Sequence, residues 1–143
     1  MTWMPNKTQK ELLKIAKKTP HRIISNEDDL FFRFCKEFVH IRSDISGRAQ
    51  IIPFVPFPEQ RKFLSQYCKQ RADGRPNRQV NLKCRQCGQS TLSMIIHCIE
   101  MLLFQNLSAV IASERKLGSA KNIFKMYKRF FVYLPWNLSL IHI

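Results

Sequence analysis

The chain has 143 residues, 45% of them hydrophobic and 11% aromatic, a balance that excludes a disordered polymer and allows one modest core. Its 24 lysines and arginines against 10 aspartates and glutamates give a formal charge of +14, so the expected partner is a polyanion, nucleic acid or nucleotide first. Five cysteines with no secretory leader ahead of them point away from a disulfide framework and toward reduced thiols in a cytosol-like compartment.

In chain order, Glu11-Leu-Leu-Lys-Ile-Ala-Lys-Lys sets its apolar residues close to helical spacing, and Pro20 stops this short basic helix. Asn26-Glu-Asp-Asp caps and charges the start of a second helix, which turns Leu30, Phe31, Phe34, Phe38 and Val39 inward. Three prolines in Ile51-Ile-Pro-Phe-Val-Pro-Phe-Pro58 exclude a helix there and predict extended chain. A further helix begins at Glu59, carries Phe63, Leu64 and Tyr67 inward, and ends at the turn-rich Ala72-Asp-Gly-Arg-Pro76.

Beyond that loop the period changes. Gln79-Val80-Asn81-Leu82 alternates as a strand does, whereas residues 91–104 are apolar on nearly every side, as in a buried helix; Ser93, His97 and Glu100 interrupt them, so they do not read as a membrane span. Leu107-Ser-Ala-Val-Ile-Ala112 reads as a second short strand. The last helix puts Ala120, Ile123, Phe124, Tyr127, Phe131 and Leu134 on one face and Lys121, Lys125, Lys128 and Arg129 largely on the other. Strand, loop, helix, strand, helix is the order of an α/β unit with a parallel sheet. The expected organisation is a basic helical segment over residues 1–50 followed by the start of an α/β domain over residues 51–143.

The stretch between the first strand and the buried helix, Val80-Asn-Leu-Lys-Cys-Arg-Gln-Cys-Gly-Gln-Ser-Thr-Leu-Ser-Met94, advertises two chemistries. Cys84 and Cys87 form a CxxC pair, but a structural zinc needs four ligands and there is one such pair; His97 and Cys98, adjacent on an apolar helix, point about 100° apart. Gly88-x-Ser90-Thr91 lies where a strand-to-helix loop offers backbone N–H groups and the positive end of a helix dipole to a phosphate. The standard G-x-x-x-x-G-K-[ST] loop would need glycine at Lys83 and lysine at Gln89. Lys83 and Arg85 supply positive charge from the entering side instead, and Ser90 remains placed for Mg²⁺. On these residues alone, a phosphate loop and an ordinary turn capped by Ser90 or Thr91 both stand.

Leu82-Lys-Cys-Arg-Gln-Cys-Gly-Gln-Ser-Thr91 resembles the variant Walker A loop, K-x-R-Q-x-G-x-S-T, of the large terminase subunits of tailed bacteriophages. Phe57-Pro-Glu-Gln60 resembles that family's upstream adenine-recognition element, and Ala109-Val-Ile-Ala112 with the helix after it resembles the next strand and helix. The resemblance covers roughly residues 31–136 and implies an incomplete P-loop NTPase-type parallel sheet with flanking helices. It also implies ATP and Mg²⁺ as cofactors. Lys83 and Arg85 would contact the β- and γ-phosphates as the catalytic cations, Gln86, Cys87, Gly88 and Gln89 would wrap them, and Ser90 or Thr91 would hold Mg²⁺. Gln60 would read adenine, whose N6/N7 edge suits an amide, with Phe57 near enough to stack.

The implied parent packages double-stranded viral DNA into a prohead, working in the host cytoplasm as a homo-oligomeric ring with a portal protein and a small terminase subunit. No apolar run ending in Asp-Glu follows the loop, so the Walker B carboxylate and the nuclease carboxylates are expected outside this sequence, and the chain reads as a fragment with little hydrolysis of its own. Two alternatives compete. One is a helicase-like nucleic-acid ATPase, disfavoured by Gln89 in place of lysine. The other is a non-enzymatic basic protein in which Lys121, Lys125, Lys128 and Arg129 neutralise phosphates while Tyr127 or Phe130 stacks on bases.

Overall fold

The computed structural model describes residues 4–82, 88–104, 106–108, 110 and 118–134. Helix α1 (Lys7–Lys18) opens with a reciprocal cap: Asn6 Oδ1 accepts the Gln9 N–H at 2.8 Å and Gln9 Oε1 accepts the Asn6 N–H at 3.1 Å. It buries Leu12, Leu13 and Ala16 and leaves its lysines outside. Pro20, the expected stop, is also the first residue of α2 (Pro20–Ile24), where its missing N–H costs nothing. Asn26 then caps as expected, its Oδ1 accepting the Phe31 N–H at 3.0 Å, but from a left-handed turn in which Asp28 and Asp29 also have positive φ. Arg22 fastens this turn through Nε, 2.8 Å from Glu27 Oε2, and that bond holds the Glu27 carboxyl below the usual range. Helix α3 (Leu30–Phe38) buries Leu30, Phe31, Phe34, Cys35 and Phe38, and Val39 behind it is buried too.

A hairpin follows that the sequence reading did not anticipate. Strands β1 (His40–Ile45) and β2 (Arg48–Pro53) pair antiparallel, from Ile45 opposite Arg48 to His40 opposite Pro53. The two turn residues, Ser46 and Gly47, both have positive φ, which gives the turn a twist that matches the strands. The boundary drawn after residue 50 falls within β2, and one hydrophobic core draws on both sides of it, Phe31 and Phe34 together with Leu64, Leu92 and Ile95. The proline-rich segment is extended as expected. Its Phe54 N–H donates to Val39 O at 2.9 Å, which seats the buried Phe54 ring against the end of α3.

Three longer helices complete the described chain: α4 (Pro58–Ala72), α5 (Gln89–Leu103) and α6 (Gly118–Tyr133). The architecture is therefore mixed α/β, mostly helical, and the sheet among the described residues is the two-stranded antiparallel hairpin. Residues 79–82 form no strand. They run irregularly beside α4, tied by Asn77 Nδ2 to Tyr67 O at 3.4 Å and Gln79 Nε2 to Gln70 Oε1 at 3.3 Å, with Val80 94% and Leu82 100% exposed. A strand needs a neighbour to take up its backbone groups, and no described segment pairs with this one. Leu107, Ser108 and Val110 are likewise in no strand, and the rest of residues 107–112 lies outside the described residues. Helix α6 is turned relative to expectation: Tyr127, Phe130 and Leu134 are buried with Ile123 and Met126 beside them, whereas Phe124 and Phe131 are exposed. Among the described residues no helix is long and apolar enough to cross a membrane.

Candidate functional site

The start of α4 explains where the upstream element sits. Pro58 occupies the first helical position and Gln60 the third, from which a glutamine side chain reaches back to the capping residue. The Phe57 N–H accordingly donates to Gln60 Oε1 at 2.8 Å. The other end of the same amide crosses 28 residues of sequence: Gln60 Nε2 donates to Gly88 O at 2.8 Å. Gln60 is 2% exposed, so these bonds form away from water, where a lost partner is costly. Phe57, by contrast, leaves its ring 60% exposed beside Gly88.

Gly88 is the N-cap of α5, with φ +69 and ψ 8. Its carbonyl accepts both Gln60 Nε2 and the Leu92 N–H, the latter at 3.0 Å, so both lone pairs are used. A side chain at this position would be strained by the backbone angle, and its Cβ would stand 2.6 Å from Gln60 Nε2. Glycine is thus required twice over. The first turn of the 15-residue α5 carries no acidic residue, so no side-chain charge there competes with an external anion for the helix's positive end. Ser90 is exposed and Thr91 half-buried in that turn. Gln89 Nε2 is a buried donor without an acceptor among the described residues, while Ser93 Oγ donates to Gln89 O at 3.0 Å.

Phe57, Gln60, Gly88, Gln89, Ser90 and Thr91 are therefore gathered at the junction of α4 and α5. Lys83, Cys84, Arg85, Gln86 and Cys87 lie outside the described residues. The expected helix start near Ser90 is found, at Gln89; the expected strand before the loop is not found over residues 79–82. Of the four hydrogen-bonding positions of the Gln60 amide, contacts among the described residues occupy two, one donor and one acceptor.

A second polar contact joins the same two helices and was not foreseen. Glu100, in sequence only a break in an apolar run, is nearly buried on α5; it accepts the Tyr67 hydroxyl hydrogen and pairs with Arg71 Nε at 2.9 Å. Burial, with the Glu100 carboxylate adding to it, pushes the Tyr67 phenol well up and the Cys68 thiol up to about 12. Burial alone pushes the Cys98 thiol up to about 12, and burial, with the neighbouring Cys68 and Cys98 thiols adding to it, pushes that of Cys35 well above its ordinary value. The signal available in the sequence was a lone acid in an apolar helix, facing Tyr67 and Arg71 four residues apart on α4.

Among the described residues no three His, Cys, Asp or Glu side chains converge as a metal site. On α6, Lys121, Lys125 and Lys128 are exposed and Arg129 half-buried, with Lys128 Nζ 5.3 Å from the centre of the Phe124 ring. Tyr127 and Phe130, expected as base-stacking residues under the non-enzymatic alternative, are instead core residues with their rings turned inward. Comparison with protein-family models, with curated proteins and with solved structures finds no match to this chain.

Proposed function

We propose that this chain is the ATP-binding N-terminal part of a viral DNA-packaging motor ATPase of the terminase large-subunit kind. The observation that carries the reading is the Gln60 to Gly88 hydrogen bond. It brings the Phe57-Pro-Glu-Gln60 element, expected at the base, against the glycine that opens α5, expected at the phosphates. Two motifs read separately in the sequence thereby meet at one helix N-terminus. A bound nucleotide would lie there, its phosphates along the first turn of α5 and its base near the exposed ring of Phe57. ATP supplies the transferable phosphoryl group and Mg²⁺ neutralises its charge when both are bound. In this proposal Lys83 and Arg85 bring the cations that a standard loop lysine would, the backbone from Gln86 to Gln89 encloses the phosphates, and Ser90 or Thr91 holds Mg²⁺.

The parallel sheet belongs to the same proposal. Residues 79–82 and 107–112 would be its strands, and the full exposure of Val80 and Leu82 supports this, because apolar alternation is characteristic of chain covered on at least one face. Double-stranded viral DNA, the portal, the small subunit and a homo-oligomeric ring in the host cytoplasm follow from the resemblance for the longer parent.

Equilibrium binding of Mg-ATP and of duplex DNA, each measured at low salt and at about 0.5 M salt, tests the reading, because phosphate contacts to DNA fade with salt. Retained Mg-ATP binding with loss of DNA binding is the expected result. DNA binding at low salt with no Mg-ATP binding at either concentration would favour the basic nucleic-acid-binding alternative.

A further inference from the structure

Between them, α3 and the entry to α4 enclose a concavity of about 170 Å³, lined by Phe32, Arg33, Lys36, Phe54, Pro56 and Arg61 together with Asp29 and Val55. That is well above the roughly 10–15 Å³ a single water requires. Its floor is firm, since Phe54 and Pro56 are buried and the Phe54 N–H is bonded to Val39 O. Arg61 is held in place by its guanidinium carbon lying 4.7 Å from the centre of the Phe32 ring. Arg33 and Lys36, three residues apart on α3, share a helix face. Three cations thus converge on one apolar-floored pocket that holds a single carboxylate, Asp29. Among the described residues none of the four forms an ion pair. Like charges gathered over a low-dielectric floor repel one another and focus a positive potential into the cleft, and an anion would relieve both.

We propose that this pocket is a phosphate-binding site, taking either a free phosphate group or a phosphate of a polynucleotide backbone through Arg33, Lys36 and Arg61. It shares no residue with the Gln60 and Gly88 junction, so it stands or falls independently of the proposed ATP site.

The test is a residue-resolved NMR titration of the whole chain with inorganic phosphate, and separately with a short oligodeoxythymidylate, following the amides of residues 29–36 and 54–61. The expected result is a saturable shift of these amides with inorganic phosphate. Arg33→Gln should weaken it roughly three- to tenfold, as for loss of a partly exposed charge-assisted bond. Asp29→Asn should tighten it roughly two- to fivefold by removing the one opposing charge. Damage to the fold does not tighten binding, and asparagine suits the positive φ of that position, so the second variant keeps the test decisive. If Arg33→Gln also weakens the oligonucleotide and lowers its log-affinity against log-salt slope by about 1, the source is a backbone phosphate; an unchanged slope assigns a free phosphate group. Absence of saturable shifts with both probes, or phosphate affinity that ignores both substitutions, overturns the proposal.

Discussion

Gln60 Nε2 lies 2.8 Å from the carbonyl oxygen of Gly88, and this bond ties the start of α4 to the start of α5. The pairing of Tyr67 and Arg71 with Glu100 joins the same two helices near their far ends. Passing from Gln60 to Arg71 along α4 corresponds to passing from Gly88 to Glu100 along α5, so the two helices run in the same direction and are fixed at both ends. A loop entering α5 is consequently delivered to a defined place beside the start of α4.

Replacing Gly88 by alanine is expected to cost about 2–3 kcal/mol. Roughly 1–2 comes from placing a side chain at positive φ and about 1 from displacing the Gln60 amide, which stands 2.6 Å from the new Cβ. Gly47, also at positive φ, has open space around it, so Gly47→Ala carries the backbone part alone. Urea unfolding of the two variants separates the contributions; equal losses would show that the Gln60 contact carries no weight.

Glu100→Gln preserves shape but leaves Arg71 without its counter-charge, and Tyr67→Phe removes a donor from a nearly buried carboxylate. Each is expected to cost about 1–3 kcal/mol, with the Arg71 share reduced because that side chain is partly in solvent. In a double-mutant cycle the losses should not add, since both substitutions touch one carboxylate. Additive losses would contradict a shared network.

The buried thiols give a pH prediction. Cys68 and Cys98 titrate at about 12 in the folded chain against an ordinary value of 9.0, because burial disfavours the thiolate. Their contribution to stability is complete below pH 9 and declines as pH rises toward 12, where the unfolded chain has already released its protons. Below pH 9, Cys35, Cys68 and Cys98 should resist alkylation until the chain unfolds, as peptide mapping can establish. Rapid labelling of these three residues in the native protein would contradict their placement in the core.

Much of the helical order was legible in the sequence because its signals are local. Asn26 as a cap, the inward run of Leu30, Phe31, Phe34 and Phe38, and the turn after Ala72 all agree with the structure. The hairpin was missed because neither strand shows a sustained apolar alternation: β1 sets Ile41 and Ile45 among His40, Arg42, Ser43 and Asp44, and β2 places its apolar residues side by side on a largely exposed strand; Ser46-Gly47 was the available cue. Residues 79–82 carry a strand's pattern without a paired neighbour among the described residues, and pattern alone cannot provide one. The site was legible as two motifs, but the bond joining Gln60 to Gly88 was not, because contact across 28 residues depends on how α4 and α5 pack. Phe130 displaced Phe131 from the core because α6 is rotated about its axis from the expected face, so that Phe130 and Met126 join Ile123, Tyr127 and Leu134 on the inward side.

The most direct measurement is Mg-ATP affinity at about 0.5 M salt for the unmodified chain, Arg85→Ala, and Arg85→Ala combined with Gln89→Lys. If Arg85 supplies the loop's cation, Arg85→Ala should lower affinity about 10- to 150-fold, equivalent to a charge-assisted bond of roughly 1.5–3 kcal/mol, without rescue by Gln89→Lys. Rescue by the lysine would instead assign the standard loop geometry. A folded chain with no saturable Mg-ATP binding, or an Arg85→Ala chain that binds as tightly as the original, would contradict the proposed nucleotide site.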